Sequence, residues 1–302
     1  VPGAALGPRE LRALLERHGL TRRRALGQHF LADPNTARRI VRLAGVRPGD
    51  RVLEVGPGLG SLTAALVAAG ARVRAIEVDE ALLPALREVV GPAAPVEVVV
   101  GDVLRVDLDR LVASAEPCAA EVPGPAGWKM VSNLPYNIAT AVVLRLLEGA
   151  PAVREMLVMT QREAAERLCA RPGGRAYGAA SVRVAYHARA RIVGRVPPTV
   201  FLPPPRVESA LVHLQRHPRP PVEVGSYADL VALLRAGFAQ RRKMLRSSLR
   251  ARLGERTRAV LAAAGVPETA RAEALDLGRW AALARAAATT PPTAEVGPGD
   301  PR

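Results

Sequence analysis

Between residues 50 and 170 the hydrophobic positions switch repeatedly between two periods. "DRVLEVGPGLGSLTAALVAAG" opens as a short apolar strand, breaks at glycines and continues at helical spacing to Gly70. "ARVRAIEVD" repeats the strand pattern, a helix is predicted over 80–90, and "VEVVVGD" is a third strand. "WKMVSN" and "EMLVMTQ" supply a fourth and fifth, the latter leading into the helix "REAAERL". Strands alternating with helices in this way predict a parallel, doubly wound α/β sheet. Two later strands are expected around 188–196 and 206–215, separated by "PPTVFLPPP". Upstream, residues 8–19 read as an amphipathic helix. Asp33 and Pro34 supply the cap and first turn of another over 33–45, which carries Ile40, Val41 and Leu43.

The pattern changes after residue 217. Residues 227–285 are helical in period, with breaks near Gly254 and at Gly265-Val266-Pro267. Treated as one helix, 227–253 puts Leu230, Leu234, Phe238, Leu245 and Leu249 on one face. Arg235, Arg242, Arg246 and Arg250 form a stripe alongside. The expected organisation is an N-terminal helix and basic arm (1–24), a sheet domain (25–217), a small all-α domain (222–287) and a disordered tail (288–302). A Pro/Gly/Ala-rich loop spans 114–127, and no internal repeat is visible.

Charge narrows the class of partner. The 302 residues carry a formal net charge of +15, almost all of it arginine, since Lys129 and Lys243 are the only lysines. Such an excess suggests a polyanion, with RNA or DNA ahead of a membrane surface. Arg22, Arg23 and Arg24 extend the basic footprint. Cys118 and Cys169 belong to no paired motif, so neither a disulfide framework nor a zinc site is expected. His213 and His217 lie on or after a strand, and no metal is expected there either. No run reaches the length of a membrane span, and a cytoplasmic monomer is expected.

The candidate chemistry collects at strand ends. Gly56, Gly58 and Gly60 occupy the turn after the first sheet strand, where backbone can approach a nucleoside closely. Their spacing, G-x-G-x-G, differs from that of dinucleotide binders. Glu77 ends the second strand and Asp102 ends the third. In a doubly wound sheet these ends line one crevice, so Glu77 is placed to accept from ribose hydroxyls and Asp102 from an adenine amine. S-adenosylmethionine, with a ribose and an adenine but no pyrophosphate, fits this set better than NAD.

Next in the crevice come Asn133, Leu134, Pro135 and Tyr136. In-line methyl transfer needs a nucleophile held at about 3–3.5 Å. The adenine amine is a poor nucleophile because its lone pair is delocalised into the ring. The Asn133 side-chain carbonyl and the Leu134 backbone carbonyl can grip its two N–H groups and aim that lone pair. Pro135 fixes the turn and Tyr136 offers a stacking face. No general base is needed, because the proton becomes acidic once the nitrogen is alkylated.

With "LGQHFL", "EVGPGLGSLT", "AIEVD", "NLPYN" and "FLPPPRVESALV" in this order, the chain resembles the rRNA adenine N6,N6-dimethyltransferases. "GFAQRRKMLRSSL" resembles the C-terminal helix of the branch that dimethylates two neighbouring adenosines near the 3′ end of small-subunit (16S) rRNA. The similarity covers residues 8–285. It implies a Rossmann-like class I S-adenosylmethionine methyltransferase sheet with a small C-terminal all-α domain, acting on an immature 30S particle. It carries donor contacts onto Leu31, Gly56, Glu77, Asp102 and Asn133, with Gly58 in the same turn. His29 stands where the family often has a donor-contacting Asn. Phe201 matches the aromatic that covers the target base opposite Tyr136. That base must be exposed or flipped to enter. Large-subunit (23S) dimethylases that confer antibiotic resistance share the glycine turn and the Asn-Leu/Ile-Pro-Tyr signature, but "QRRKMLRSSL" and "ARAEALDL" favour the small-subunit branch. A non-catalytic assembly factor is opposed by the intact Glu77, Asp102 and Asn133 set, and a DNA adenine methylase remains a further alternative.

Overall fold

The computed structural model describes residues 6–21, 27–113 and 127–290. Within them the apolar runs become strands β1 (Phe30–Leu31), β2 (Arg51–Val55), β3 (Arg72–Glu77), β4 (Val96–Val100), β5 (Trp128–Asn133), β6 (Val153–Gln161), β7 (Ala188–Val196), β8 (Phe201–Leu202) and β9 (Ser209–Arg216). Seven of them make one sheet in the order β4-β3-β2-β5-β6-β9-β7. The five from β4 to β6 are parallel, β9 is antiparallel to β6, and β7 is antiparallel to β9. Val52, Leu53, Met130 and Val131 in the two central strands are inaccessible to solvent. That burial on both faces is what a parallel sheet covered by helices requires. The chain winds outward from β2 to β4, then returns to lay β5 on the other side of β2. The loops after β2 and β5 therefore part, and a crevice opens between them.

Local signals explain the elements that frame this crevice. Asp33 caps the helix Pro34–Leu43, its carboxylate accepting from the Asn35 and Thr36 amides at 3.2 and 2.9 Å. Ile40 and Val41 on that helix bury against the sheet beside Val52, Val131 and Leu211. The first helix, Pro8–Arg17, contributes Leu11 and Leu14 to a cluster with Phe30, Leu59 and Leu82. No helix among the described residues is long and apolar enough to cross a membrane.

The described chain divides into two compact units. One takes in the residues up to Cys169 together with His187–Arg216; the other takes in Ala170–Tyr186 and the residues from His217 onward. The expected continuous domain over 25–217 is thus interrupted. Tyr177 and Val182 join the apolar core of the second unit, and the Tyr177 hydroxyl donates to the Leu275 carbonyl at 2.8 Å. Local periodicity could not reveal that an excursion between two strands packs elsewhere.

The single helix expected over 227–253 is also interrupted. Tyr227–Phe238 is helical, residues 239–243 turn, and short helices follow at Leu245–Ser248 and Arg250–Leu253. Met244 is extended and bridges Arg271, while the Leu245 amide donates to the Ala270 carbonyl at 2.8 Å. That pairing takes the backbone groups a continuous helix would have used. Leu230, Leu234, Leu245 and Leu249 still reach one core around Trp280, from separate helices. The four arginines therefore do not form a stripe on one helix. Arg235, Arg242, Arg246 and Arg250 are all exposed, with Arg242 in the turn and Arg250 paired to Glu255 at 2.8 Å.

The packing around Trp280 leaves no room at Gly237, where a Cβ would lie 2.5 Å from the indole Cη2. Gly237→Ala is expected to destabilise the protein by about 1–3 kcal/mol, read from the denaturation midpoint at an unchanged m-value.

Candidate active site

The turn after β2 owes its shape to glycines in the left-handed region, with φ of 71° at Gly56 and 58° at Gly58. A Cβ at Gly58 would press on the Phe30 ring at 3.3 Å, so the close approach also selects glycine. The Gly56 amide donates to the Ile76 carbonyl at 2.9 Å, and the Gly58 amide to the Glu77 carboxylate at 3.1 Å. Turn and acid are thereby locked together.

Glu77, at the end of β3, is almost fully buried. Its other oxygen accepts from the Val78 and Asp79 amides, both at 2.9 Å. Burial raises its pKa despite these bonds. A carboxylate has about four acceptor positions, so with three taken by amides about one remains for a ligand hydroxyl. Asp102 follows β4 and is more open; one oxygen accepts from the Leu104 amide at 2.9 Å, and Arg105 stands 3.6 Å from the other.

Asn133 ends β5, and its Nδ2 donates to the His29 backbone carbonyl at 3.2 Å. A carbonyl can only accept, so this bond orients the amide and assigns Oδ1 to the acceptor side. The Leu134 amide is anchored on the Met159 carbonyl of β6 at 3.0 Å. The Tyr136 hydroxyl bonds the Ser209 hydroxyl at 2.6 Å, and its ring stacks on His29 with centroids 5.7 Å apart. One cleft of about 260 Å³ is lined by His29, Leu31, Gly56, Gly58, Glu77, Asp102 and Asn133 to Tyr136. The predicted donor positions thus come together with the Asn-Leu-Pro-Tyr turn.

Phe201 does not join them. It is 2% exposed, packs in the core with Leu31, Ile40 and Leu211, and is not among the residues lining the cleft. β8 lies antiparallel to β1, with Leu31 opposite Phe201 and Phe30 opposite Leu202, and the Phe201 ring is covered by the cluster that holds Ile40 and Leu211. These two-residue strands are too short to leave a periodic signature. Arg22, Arg23 and Arg24 lie outside the described residues. No group of three or more potential metal-binding side chains occurs among the described residues, and His213 bonds Glu155 at 2.5 Å.

Sequence reasoning passed over Glu54. It lines the cleft floor, is 1% exposed, and one of its oxygens has no hydrogen-bond partner. Burial, with Glu77 nearby, pushes its pKa up to about 8. An acid in the interior of an otherwise apolar strand was the available signal.

The sheet order, glycine turn and strand-end acids around one crevice define a class I methyltransferase. More narrowly, the chain belongs to the ribosomal RNA adenine dimethylase family, whose model it matches over residues 19–289. It is 44% identical over 285 residues to the ribosomal RNA small subunit methyltransferase A of Streptomyces griseus, covering 94% of this chain and 95% of that one. The enzyme of the same name from Magnetococcus marinus is 44% identical over 275 residues, covering 91% and 95%. Among solved structures, the 23S rRNA methyltransferase ErmE matches with TM-score 0.60 and 30% identity over 85% of this chain and 98% of that one. A dimethyladenosine transferase from Plasmodium falciparum matches in fold, with TM-score 0.63 and 22% identity over 84% and 96%.

Class I membership implies S-adenosylmethionine as cofactor, and the residues present fit it. The glycine turn leaves room for close approach, and Glu77 and Asp102 are acceptors suited to hydroxyl and amine donors.

Glu54 makes stability pH-dependent in a defined direction. The folded carboxyl keeps its proton to about pH 8, whereas its ordinary value is 4.5. The folded state therefore binds more protons across that interval, and stability falls as pH rises through it. Glu54→Gln is expected to remove a slope of up to about 1 kcal/mol per pH unit, measured by denaturation between pH 5 and 8 (roughly the affected window).

Proposed function

We propose that this protein transfers methyl groups from S-adenosylmethionine to the N6 amines of two adjacent adenosines near the 3′ end of small-subunit (16S) rRNA. The product is N6,N6-dimethyladenosine, made in the cytoplasm on an immature 30S particle. The observation that carries the reading is the orientation of Asn133, whose Nδ2 is committed to the His29 carbonyl while Oδ1 is left as an acceptor beside the cleft. The choice of the small subunit is supported by relatives of that name at 44% identity, against 30% for the 23S enzyme ErmE.

Bound S-adenosylmethionine supplies an electrophilic methyl group on a cationic sulfur. Leu31 and the Gly56–Gly58 backbone would hold it, with Glu77 at the ribose hydroxyls and Asp102 at the adenine amine. Asn133 Oδ1 and the Leu134 carbonyl accept from the target amine and keep its lone pair directed into the cleft. Tyr136 supplies the stacking surface, and its bond to Ser209 limits rotation of the ring. No side chain has to remove a proton before transfer; the alkylated nitrogen releases it to solvent. Catalysis by this chain is then chiefly positioning.

Exposed arginines supply the RNA footprint. Arg235, Arg242 and Arg246 are solvent-facing, and Arg22, Arg23 and Arg24 are assigned to the same role from the sequence. Such side chains hold phosphates without reading bases.

Labelled methyl groups are expected to appear as dimethyladenosine in 16S rRNA of immature small subunits, mapped by mass spectrometry. Modification of naked 23S rRNA or of duplex DNA instead would overturn the assignment. Asn133→Ala is expected to lower turnover by at least about 100-fold with RNA binding retained. Cellular function surviving in that variant would make assembly, and not methylation, the primary role.

Replacing Arg235, Arg242 and Arg246 together with Gln is expected to weaken rRNA binding. The slope of log K against log salt should fall by roughly 0.7–0.9 for each phosphate that is no longer neutralised, as read by filter binding or anisotropy.

A further inference from the structure

We infer that Arg145 is a positioning residue for the donor side of the site. It pins the turn that carries Asp102 to the helix running on from the Asn-Leu-Pro-Tyr turn, and so aims Asp102 at the donor's adenine amine. This rests on the donor reading above, to which it adds a residue that does not touch the ligand. The sequence signal is a lone cation in the apolar run "ATAVVLRLL". In the helix Ala139–Gly149 the flanking Leu144 and Leu146 are buried, and Arg145 itself is half-buried. A guanidinium drawn out of water in this way needs acceptors. Its Nε donates to the Val103 carbonyl at 3.2 Å and its Nη2 to the Val106 carbonyl at 2.8 Å.

Those carbonyls belong to a turn whose first residue is Asp102. The Asp102 carbonyl accepts from the Arg105 and Val106 amides at 2.8 and 2.9 Å, and its carboxylate accepts from the Leu104 amide at 2.9 Å. The turn thus uses its amides on Asp102 and is left with carbonyls to satisfy, as at the end of a helix. Among the described residues no backbone amide bonds the Val103 or the Val106 carbonyl, and Arg145 serves both. The edge formed by Nε and Nη2 is a planar fork of fixed spacing, which a lysine ammonium does not reproduce.

A displacement of this turn passes directly to Asp102. A Cβ at Gly101 would lie 3.0 Å from Val106 Cγ2, so the turn closes tightly on its own start. On the other side, the Gly101 amide donates to the Glu77 carbonyl at 2.8 Å. Asp102, Val103 and Leu104 line the cleft, as does Ile138 at the head of the Arg145 helix, whereas Arg145 does not. One helix is therefore joined at its start to the residues that grip the target amine and, two turns on, to the wall that meets the donor's adenine.

The test reads recognition of the adenine amine. S-adenosylhomocysteine is compared by calorimetry with its 6-deamino analogue, which carries hydrogen in place of that amine. The parent is expected to prefer the amine by about 10-fold or more, the worth of a hydrogen bond to a charged acceptor. Arg145→Met keeps the aliphatic stem and removes both donors. It is expected to cut the preference to within about threefold and to raise KM for S-adenosylmethionine about 10-fold, with KM for rRNA within about twofold of the parent. Added to Asp102→Ala, which has no carboxylate to aim, Arg145→Met is expected to change the S-adenosylhomocysteine Kd by less than about twofold. Equal weakening of both ligands with the preference intact, an unchanged Kd, or full additivity with Asp102→Ala would each overturn the inference. If Arg145→Met does not fold, Arg145→Lys carries the comparison: a reduced preference is expected, and the parent's full preference would overturn the inference. A parent protein that binds both ligands alike would overturn the inference and leave the donor reading in place. One that binds neither would overturn the donor reading, and the inference with it.

Discussion

The two central strands stop pairing before they end, and the site depends on how that gap is bridged. β2 and β5 keep backbone register through Leu53 opposite Met130. Beyond it, the Val55 amide donates to the Ser132 hydroxyl at 2.8 Å, with both residues buried. A side chain thus takes over from the ladder, and the strands can part without leaving a buried donor unsatisfied. One residue later the chain turns at Gly56 on one side and presents Asn133 on the other. The crevice therefore originates in the sheet itself, and its two walls are anchored on the buried central strands.

Electrostatics follow from that geometry. Glu54 and Glu77 lie at one end of the cleft, both nearly inaccessible and both with raised pKa values. Water would stabilise their charges far better than this environment does. Three backbone amides compensate Glu77, whereas an oxygen of Glu54 has no partner. Glu77 suits a ligand that brings a hydroxyl donor, while Glu54 is protonated below about pH 8 and adds no negative charge there. The glycine spacing at 56–60, and not the acids, separates this site from a dinucleotide site.

What could be read from the sequence was whatever a short window records. The strand–glycine–helix unit at 51–68, the acids at 77 and 102 and the Asn133–Tyr136 turn each occupy a few consecutive residues, and the parallel winding carries them to one side. Features created by distant pairing were hidden. β1 and β8 have two residues each and are separated by nearly the whole first unit in sequence. The motif around Phe201 suggested a base-facing aromatic, but the ring is buried in the cluster with Ile40 and Leu211. The helical period over 227–253 failed differently. It correctly marked Leu230, Leu234, Leu245 and Leu249 as buried, but burial survives a break in the helix if the pieces repack on one core. Periodicity reports which side chains are inside, and backbone continuity has to be established from hydrogen bonds.

These long-range pairings also explain why so few dedicated side chains suffice. An amide that grips an adenine amine works only if it cannot flip, and a tyrosine guides a base only if its plane is set. Asn133 meets the first condition through the His29 carbonyl, and Tyr136 meets the second through Ser209. Both restraints come from segments brought in by the β1–β8 pair and by β9. Removing a restraint would leave the reactive groups in place but loosen their aim. For a reaction limited by alignment of a weak nucleophile, that loosening falls on turnover more than on donor affinity.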